Sequence, residues 1–345
     1  MRLFTNDLGV DLGTSNVLIY VDGKGIVVRE PSVVAMDKNS GRILQVGIEA
    51  KNMLGRTPGN VVAMHPLKDG VISDHVMTVK MLQQLFRKAG TKALFNPKPR
   101  VVICVPSGVT EVQERTVINA AIEAGARRVY LIEEPLAAAM GANLDIQGPN
   151  GHMIVDIGGG TTDVAVLTMN GVAVSSSIKV AGESFDEAIA RYVRRIHGVV
   201  IGRGAAEDVK IRIGCVDKRP EETAMIVRGR DSKTGMPRDL QLTSTEIYGV
   251  LQRLARQIAD EVGSVLEEAS PELVSDIAAN GITLTGGGGQ LYGMASLITK
   301  RTGIQCQLAD DPDSCVAYGC GKSLHWINHM SEGPINIAKR RAMQQ

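Results

Sequence analysis

The chain lacks cysteine pairs, an excess of charge and an unbroken hydrophobic run, and each absence narrows what it does. Its five cysteines (Cys104, Cys215, Cys306, Cys315 and Cys320) are odd in number, and none stands in a Cys-x-x-Cys pair. That argues against a disulfide framework or a zinc site and fits reduced thiols in a cytoplasm. The formal charge of +1 gives no bulk attraction to nucleic acid, which needs a strongly basic face. Met1 to Gly9 has one basic residue followed by Asn6 and Asp7, without the apolar core of a secretory signal. The longest uncharged stretch, Ala278 to Thr299, holds six glycines and reads as strand, glycine turn and helix start, not as a membrane span. No low-complexity linker separates one part of the chain from another.

What is present is alternation. Strand-like runs cover Val17 to Val21, Val101 to Val105, Ile154 to Asp156, Val164 to Met169 and Ile282 to Thr285. Helical periods lie between them, the clearest from Ile247 to Leu266 with Val250, Leu251, Leu254, Ile258 and Val262 on the same stripe. Thr243 with Glu246, and Ser184 with Glu187, have capping-box spacing and predict two helix starts. Such alternation predicts an α/β protein with helices packed on largely parallel sheets. A length of 345 residues allows two or three domains.

The pattern Asp-hydrophobic-Gly-small occurs twice, each time after an apolar run: DLGTSN from Asp11 to Asn16, and DIGGGTTD from Asp156 to Asp163. A third glycine turn, TGGGGQ, runs from Thr285 to Gln290. Glycines after a strand let backbone N–H groups approach phosphate oxygens with no Cβ in the way. Thr14, Ser15 and Asn16 add side-chain donors to the first loop, and Thr161 and Thr162 to the second. Asp11 and Asp156, at strand ends, suit Mg²⁺ directly or through its waters. One loop alone reads equally well as a tight turn with a capping aspartate; two loops and the third turn, in this order, point to a nucleotide held between two similar halves. The second loop starts near mid-chain, which puts a boundary near residue 145. Two lookalikes fail. Gly319-Cys-Gly-Lys-Ser323 has Val316 where a P-loop needs its first glycine, and no cluster fits Gly-x-Gly-x-x-Gly. His325 and His329 stand one helical turn apart without a zinc-protease Glu, so an exposed C-terminal helix accounts for them.

DLGTSN, IEEPLAAAMGA (Ile132 to Ala142), DIGGGTTDVAV and TGGGGQL, in that order, resemble the actin, heat-shock chaperone and sugar kinase superfamily. Within it the chain resembles the MreB/Mbl family, bacterial actin-like proteins that set rod shape. The likeness extends to GKGIVVREPSVVA (Gly23 to Ala35), GRTPGNVVAMHPLKDGVI (Gly55 to Ile72), AEDVKIRIG (Ala206 to Gly214) and VRGRD (Val227 to Asp231), and spans about residues 8 to 325. It implies an actin-like ATPase fold of two related α/β halves flanking a nucleotide cleft. The first half takes 1–145 with an insert at about 32–70, and the second takes 146–320 with an insert at about 180–255. Residues 321–345 would be a C-terminal helix returning to the first half, plus a basic tail.

The resemblance also implies roles. ATP and Mg²⁺ would be held by Asp11, Gly13, Thr14, Ser15 and Asn16 of the first loop and by Gly158, Gly159, Gly160, Thr161 and Thr162 of the second, with Asp11 and Asp156 on the metal side. Glu134, before Pro135, matches the residue that positions the attacking water, with Glu133 as the alternative; Asp156 and Thr161 complete the catalytic set. Glu207 and Lys210 match nucleoside contacts, although their i,i+3 spacing equally describes a solvated helix face. Gly286, Gly287 and Gly288 would approach adenine and ribose. Gly289-Gln290 and Arg203-Gly204-Ala205 depart from the family's usual residues beside the base, which leaves ATP against GTP open.

The family forms filaments, expected here as paired antiparallel protofilaments, on the inner face of the cell membrane. Partners implied are further copies of the chain, the membrane, and the cell-wall elongation machinery with its membrane adaptor, but not nucleic acid. The apolar residues Met1, Leu3, Phe4, Leu94 and Phe95 stand beside basic ones and suit membrane contact; the alternative for Leu94 and Phe95 is a place in the core. A chaperone ATPase would need a substrate domain after residue 325, and a small-molecule kinase would need an acceptor-activating aspartate. Neither is evident.

Overall fold

A computed structural model describes residues 7–90 and 98–327. Contacts divide the chain into two compact units: Met1–Gly148 with Met169–Gly171 and Asp313–Gln345, and Pro149–Thr168 with Val172–Pro312.

The first unit opens with β1 (Leu8–Leu12), β2 (Asn16–Val21) and β3 (Gly25–Pro31). A small sheet follows, made of β4 (Val34–Asp37), β5 (Ile43–Val46) and β6 (Val61–Met64), with the short helix α1 (Ile48–Lys51) between the last two. Then come the two-residue strands β7 (Leu67–Lys68) and β8 (Val71–Ile72), α2 (His75–Lys88), β9 (Arg100–Val105), α3 (Glu111–Ala124), β10 (Arg128–Glu133) and α4 (Glu134–Gly141). The main sheet has the order β10-β9-β1-β2-β3. All of Val101 to Val105 is buried, as expected of a strand covered on both faces.

The second unit repeats this plan with β11 (His152–Ile157), β12 (Thr162–Thr168) and β13 (Gly171–Ile178). It continues through α5 (Gly182–Tyr192), a π turn at Val193–His197, β14 (Val199–Val200), α6 (Arg203–Ile213), β15 (Ala224–Asp231), β16 (Pro237–Thr243) and α7 (Ser244–Glu268). It ends with α8 (Pro271–Asn280), β17 (Ile282–Thr285), a 3₁₀ turn at Gly287–Gln290, α9 (Met294–Thr302) and β18 (Cys306–Leu308). Its sheet, β18-β17-β11-β12-β13, has the strand order of the first with β11 in the place of β1.

The expectation of largely parallel sheets needs correction. β1 pairs parallel with β9 but antiparallel with β2, and β11 pairs parallel with β17 but antiparallel with β12. The glycine loops explain it. Three residues join β1 to β2, enough for a hairpin return, whereas a parallel crossover needs about a dozen or more.

Helix α7 buries Ile247, Leu251, Ile258 and Val262 of the stripe read from the sequence completely, while Val250, Leu254 and Leu266 are half-buried at its margin. At about 1.5–3 kcal/mol for each such side chain, this face contributes on the order of 10 kcal/mol before chain entropy is counted. Thr243 and Glu246 cap it reciprocally at 3.0 and 3.3 Å. The second predicted start is displaced: α5 begins at Gly182, with Ser184 in its first turn accepting from the Ala181 N–H at 3.5 Å. The cap is backbone instead. Gly182 and Glu183 donate to the carbonyls of Gly158 and Gly159 at 3.1 and 2.8 Å, so the second glycine loop sets where the helix starts.

The C-terminal helix (Cys315–Ile327) belongs to the first unit and packs on α4 and β1. Its P-loop lookalike is a packing surface. A Cβ on Gly319 would strike the Ala137 backbone, and one on Gly321 the Tyr20 ring. None of the five cysteines is in a disulfide, and all five are buried. Among the described residues no helix is long and apolar enough to cross a membrane.

Candidate functional site

In the first unit the loop from Gly13 to Ser15 is held from two sides. The Ser32 hydroxyl donates to the Gly13 carbonyl at 2.6 Å, and the Ser32 N–H to the Ser15 carbonyl at 2.9 Å. Buried Thr14 accepts from the Gly70 N–H at 2.9 Å, which ties the loop to the β7–β8 turn. Asn16 is exposed at the first position of β2.

Asp11, Cys104 and Glu134 converge here from β1, β9 and α4, each offering one ligand atom within 4.8 Å of the others. Cys104 Sγ donates to Asp11 Oδ1 at 3.6 Å. The neighbouring Cys320 thiol, burial and the Asp11 charge hold the Cys104 thiol well above its ordinary pKa. It therefore stands as a neutral hydrogen-bond donor at neutral pH. Glu134 opens α4 with Pro135 behind it, where a missing N–H costs nothing. The structure separates the two glutamates: Glu134 joins Asp11, while Glu133 accepts from the Ser107 hydroxyl at 3.3 Å.

In the second unit Asp156 is buried near the end of β11 and accepts from the Thr285 hydroxyl at 2.6 Å. Burial pushes its carboxyl up to about 6, and the Thr285 hydrogen bond pulls the other way. Asp163, also buried, faces it across the hairpin register. The loop closes with the Gly158 N–H donating to the Thr161 carbonyl at 2.9 Å, and Gly160 and Thr161 are buried within it. The Thr162 hydroxyl donates to the Val180 carbonyl at 2.7 Å, so its proton is committed inside the unit.

Lys210 is not on a solvated Glu–Lys face. Its Nζ lies 2.9 and 3.0 Å from the Asp186 carboxylate oxygens and 3.0 Å from the Gly182 carbonyl, bracing α6 against the start of α5. Burial pushes Asp186 up to about 6, although Lys210 lowers it. Glu207, half-buried a turn earlier, adds a repulsive charge to Asp186. Arg203, one of the departures from family pattern, reaches Glu183 on α5 at 3.1 Å. The three turn glycines differ. Gly286 has φ 79°, and a Cβ on it or on Gly288 would strike Ile157, whereas Gly287 faces open space. Gly289 packs on the Leu284 side chain.

The structure thus brings Asp11 to Glu134 in one unit, and the second loop to α5 and Lys210 in the other. Met1, Leu3, Phe4, Leu94 and Phe95 lie outside the described residues. Sequence reasoning did not find Cys104, Asp163, Asp186 or Thr285. Two of these stand in the motifs themselves, since Asp163 closes DIGGGTTD and Thr285 opens TGGGG. Asp186 has no local signal, because its partner is on another helix.

Two α/β units of one strand order, each with a glycine hairpin between its first two sheet strands, define an actin-like fold. The chain belongs to the MreB/Mbl protein family, whose profile matches residues 5–332. It is 48% identical over 330 residues to the cell shape-determining protein MreB of Escherichia coli K12, covering 94% of this chain and 95% of that one. It is 47% identical over 324 residues to the cell shape-determining protein Mbl of Bacillus subtilis, covering 93% and 96%. MreB5 of Spiroplasma citri, solved with ADP, superimposes with a TM-score of 0.88 at 38% identity over 93% of this chain and 96% of that one. The same protein with AMPPNP gives 0.87. MamK from a double helical filament, at 23% identity, shares the fold with a TM-score of 0.78 over 94% of this chain and 99% of that chain. Family membership makes the chain an actin-like protein of the cell-shape cytoskeleton.

Proposed function

We propose that the chain binds ATP with Mg²⁺, hydrolyses it slowly, and polymerises into membrane-associated filaments that organise wall elongation and so determine rod shape. The observation that carries the catalytic part is Glu134 beside Asp11 at the mouth of α4. Phosphoryl transfer to water needs a positioned nucleophile and neutralised charge more than covalent help. Glu134 would orient the water. The backbone N–H groups of the loops at Gly13 to Asn16 and Gly158 to Thr161 would contact the phosphates, with the Thr14 and Thr161 hydroxyls beside them.

The donor set fits a hard cation. Asp156 is a buried carboxylate whose stabilising contact is a hydroxyl, not a basic side chain, and oxygen ligands of this kind suit Mg²⁺. Asp11 and Asp156 would hold the ion directly or through water. Bound Mg²⁺ supplies charge neutralisation on the phosphate oxygens. Gly287, the open glycine, would approach the nucleoside beside Glu207, while Lys210 acts through α5. The relatives that carry ADP and AMPPNP support an adenine nucleotide.

A repeated heterologous contact that does not close gives an open filament. The filament of the MamK relative supports self-association here. Membrane attachment would use Leu94, Phe95 and the N-terminal Met1, Leu3 and Phe4. Each buried Leu or Phe is worth about 1.5–3 kcal/mol and each basic neighbour about 1 kcal/mol on an anionic surface, so a polymer binds through avidity where a monomer is marginal.

The test is phosphate release with Glu134→Ala. The variant should retain Mg-ATP binding and lose turnover by a factor on the order of 100 or more, as expected for losing a water-positioning group. Turnover within a few-fold of wild type would remove Glu134 from the mechanism. Electron microscopy on anionic liposomes, with and without Mg-ATP, tests filament and membrane together.

A further inference from the structure

Each unit holds its loop carboxylate from the neighbouring parallel strand, at the same register position. In the second unit Asp156 on β11 stands beside Thr285 on β17, and the Thr285 hydroxyl donates to Asp156 Oδ1 at 2.6 Å. In the first unit β1 and β9 take the places of β11 and β17. Their parallel register runs Leu8–Val101, Gly9–Val102 and Val10–Ile103, so its next step sets Asp11 beside Cys104. There the Cys104 thiol donates to Asp11 Oδ1 at 3.6 Å.

The residue before each aspartate is held too. Thr285 Oγ1 lies 3.5 Å from the Val155 carbonyl. In the first unit this second part falls to the C-terminal helix, whose Cys320 thiol donates to the Val10 carbonyl at 3.7 Å. That helix approaches so closely that a Cβ on Gly9 would strike the Cys320–Gly321 backbone. One arrangement thus recurs with different atoms, a single hydroxyl in one unit and two thiols in the other. Cys104 and Thr285 are both buried, and their buried strand neighbours are apolar: Val101, Val102, Ile103 and Val105 on β9, Ile282 and Leu284 on β17. Packing alone would accept an apolar side chain of similar size at either position. The donor is what the two positions share.

We propose that Cys104 and Thr285 are positioning residues for Mg²⁺, each fixing from the adjacent strand the carboxylate that faces the ion. This rests on the reading of Asp11 and Asp156 as the metal-side carboxylates and names what orients them. A donor on Oδ1 sets the plane of a carboxylate before any ion arrives, and removing such a partner typically costs about 10–100-fold in metal affinity. Both donors are neutral, so the carboxylates keep the charge that attracts a hard cation, which a lysine or arginine in the same place would offset. A thiol is the weaker donor, so Thr285 should matter more than Cys104.

The experiment is AMPPNP binding to the full-length protein at a series of Mg²⁺ concentrations, with melting temperatures measured alongside. Thr285→Val and Cys104→Ala remove the donors. Both should leave metal-free nucleotide affinity unchanged and weaken the Mg²⁺ dependence, by about tenfold or more for Thr285→Val and about threefold for Cys104→Ala. Thr285→Ser and Cys104→Ser, which supply a hydroxyl, should restore it. A wild-type Mg²⁺ dependence in Thr285→Val and Cys104→Ala, whatever their melting, overturns the proposal, and so do serine variants that fall as far as valine and alanine. If Cys104→Ala does not fold, Cys104→Ser and the Thr285 pair decide in the same way. Asp11→Asn and Asp156→Asn separate the two levels. Should these also leave the Mg²⁺ dependence untouched, the metal-side reading falls; should they abolish it while the donor variants do not, only the positioning roles fall.

Discussion

Replacing Lys210 by methionine tests whether this lysine is a structural brace or a solvated nucleoside contact. Asp186 has a carboxyl pushed up to about 6 in the fold against an ordinary 3.8, so at pH 7 its burial already costs about 3 kcal/mol with Lys210 in place. Removing Lys210 raises that pKa further, but the cost has a ceiling. Once Asp186 takes up a proton, the loss equals protonation from the unfolded value at pH 7, about 4.5 kcal/mol. The carboxylate therefore contributes at most about 1.5 kcal/mol to the variant's instability. The hydrogen bond to the Gly182 carbonyl, 3.0 Å long, adds about 1 kcal/mol. The sum of about 2–3 kcal/mol is below the roughly 3–5 kcal/mol of a broken buried pair whose acid stays charged. The pH dependence follows from the sign. The folded pKa of Asp186 is raised, so its contribution is full below 3.8 and is lost as pH rises through about 6. At pH 5 both proteins hold the proton, and only the Gly182 part of about 1 kcal/mol remains. Urea midpoints of nucleotide-free protein at pH 7 and pH 5 measure both. An equal loss at the two pH values, or none at pH 7, would refute the brace.

Asp156→Asn should raise the melting temperature of the nucleotide-free protein at pH 7.5. Burial lifts this carboxyl to about 6, a cost of about 3 kcal/mol present above that pH and absent near pH 4. The same variant should lose the stabilisation that Mg-ATP gives to wild type; a normal Mg-ATP shift would remove Asp156 from the metal site. Leu94→Ser with Phe95→Ser should release filaments from anionic vesicles while leaving ATP turnover unchanged. Undiminished pelleting, or a cooperative loss of folding, would return these side chains to the core.

The two glycine hairpins were legible because their chemistry is local: a strand, a carboxylate and a run without Cβ atoms lie within eight residues. The α7 face was legible for the same reason, since one helix carries the whole stripe and its own cap. Sheet polarity was missed although the information was present. The same short loops that suggested phosphate binding cannot span a parallel crossover, and taking them as hairpins would have given mixed sheets. Lys210 and Asp186 were beyond local reading, because their meeting depends on how α6 crosses α5. Ser184 failed as a helix start because the carbonyls that begin α5 come from Gly158 and Gly159, more than twenty residues earlier.

The duplicated loops are supported in different ways, and this says something about what each unit transmits. In the first, a serine hydroxyl holds the Gly13 carbonyl and the Thr14 side chain holds one turn amide of the β7–β8 hairpin. That hairpin reaches its turn through Asp69 at φ 50°, a left-handed conformation that a non-glycine residue adopts at some cost. In the second, the loop carbonyls are capped by the first N–H groups of an eleven-residue helix, which Lys210 and Arg203 in turn join to α6. A displacement of Gly158 and Gly159 must therefore move α5 or break two backbone hydrogen bonds, and moving α5 carries α6 through a buried ion pair. A displacement of Gly13 and Thr14 involves two side-chain hydroxyls, the single backbone hydrogen bond from Ser32 to Ser15 and a two-stranded turn, but no helix. The second loop is the one whose motion is coupled to a rigid body, and α5 and α6 link it to the β14–β16 sheet that packs behind α6.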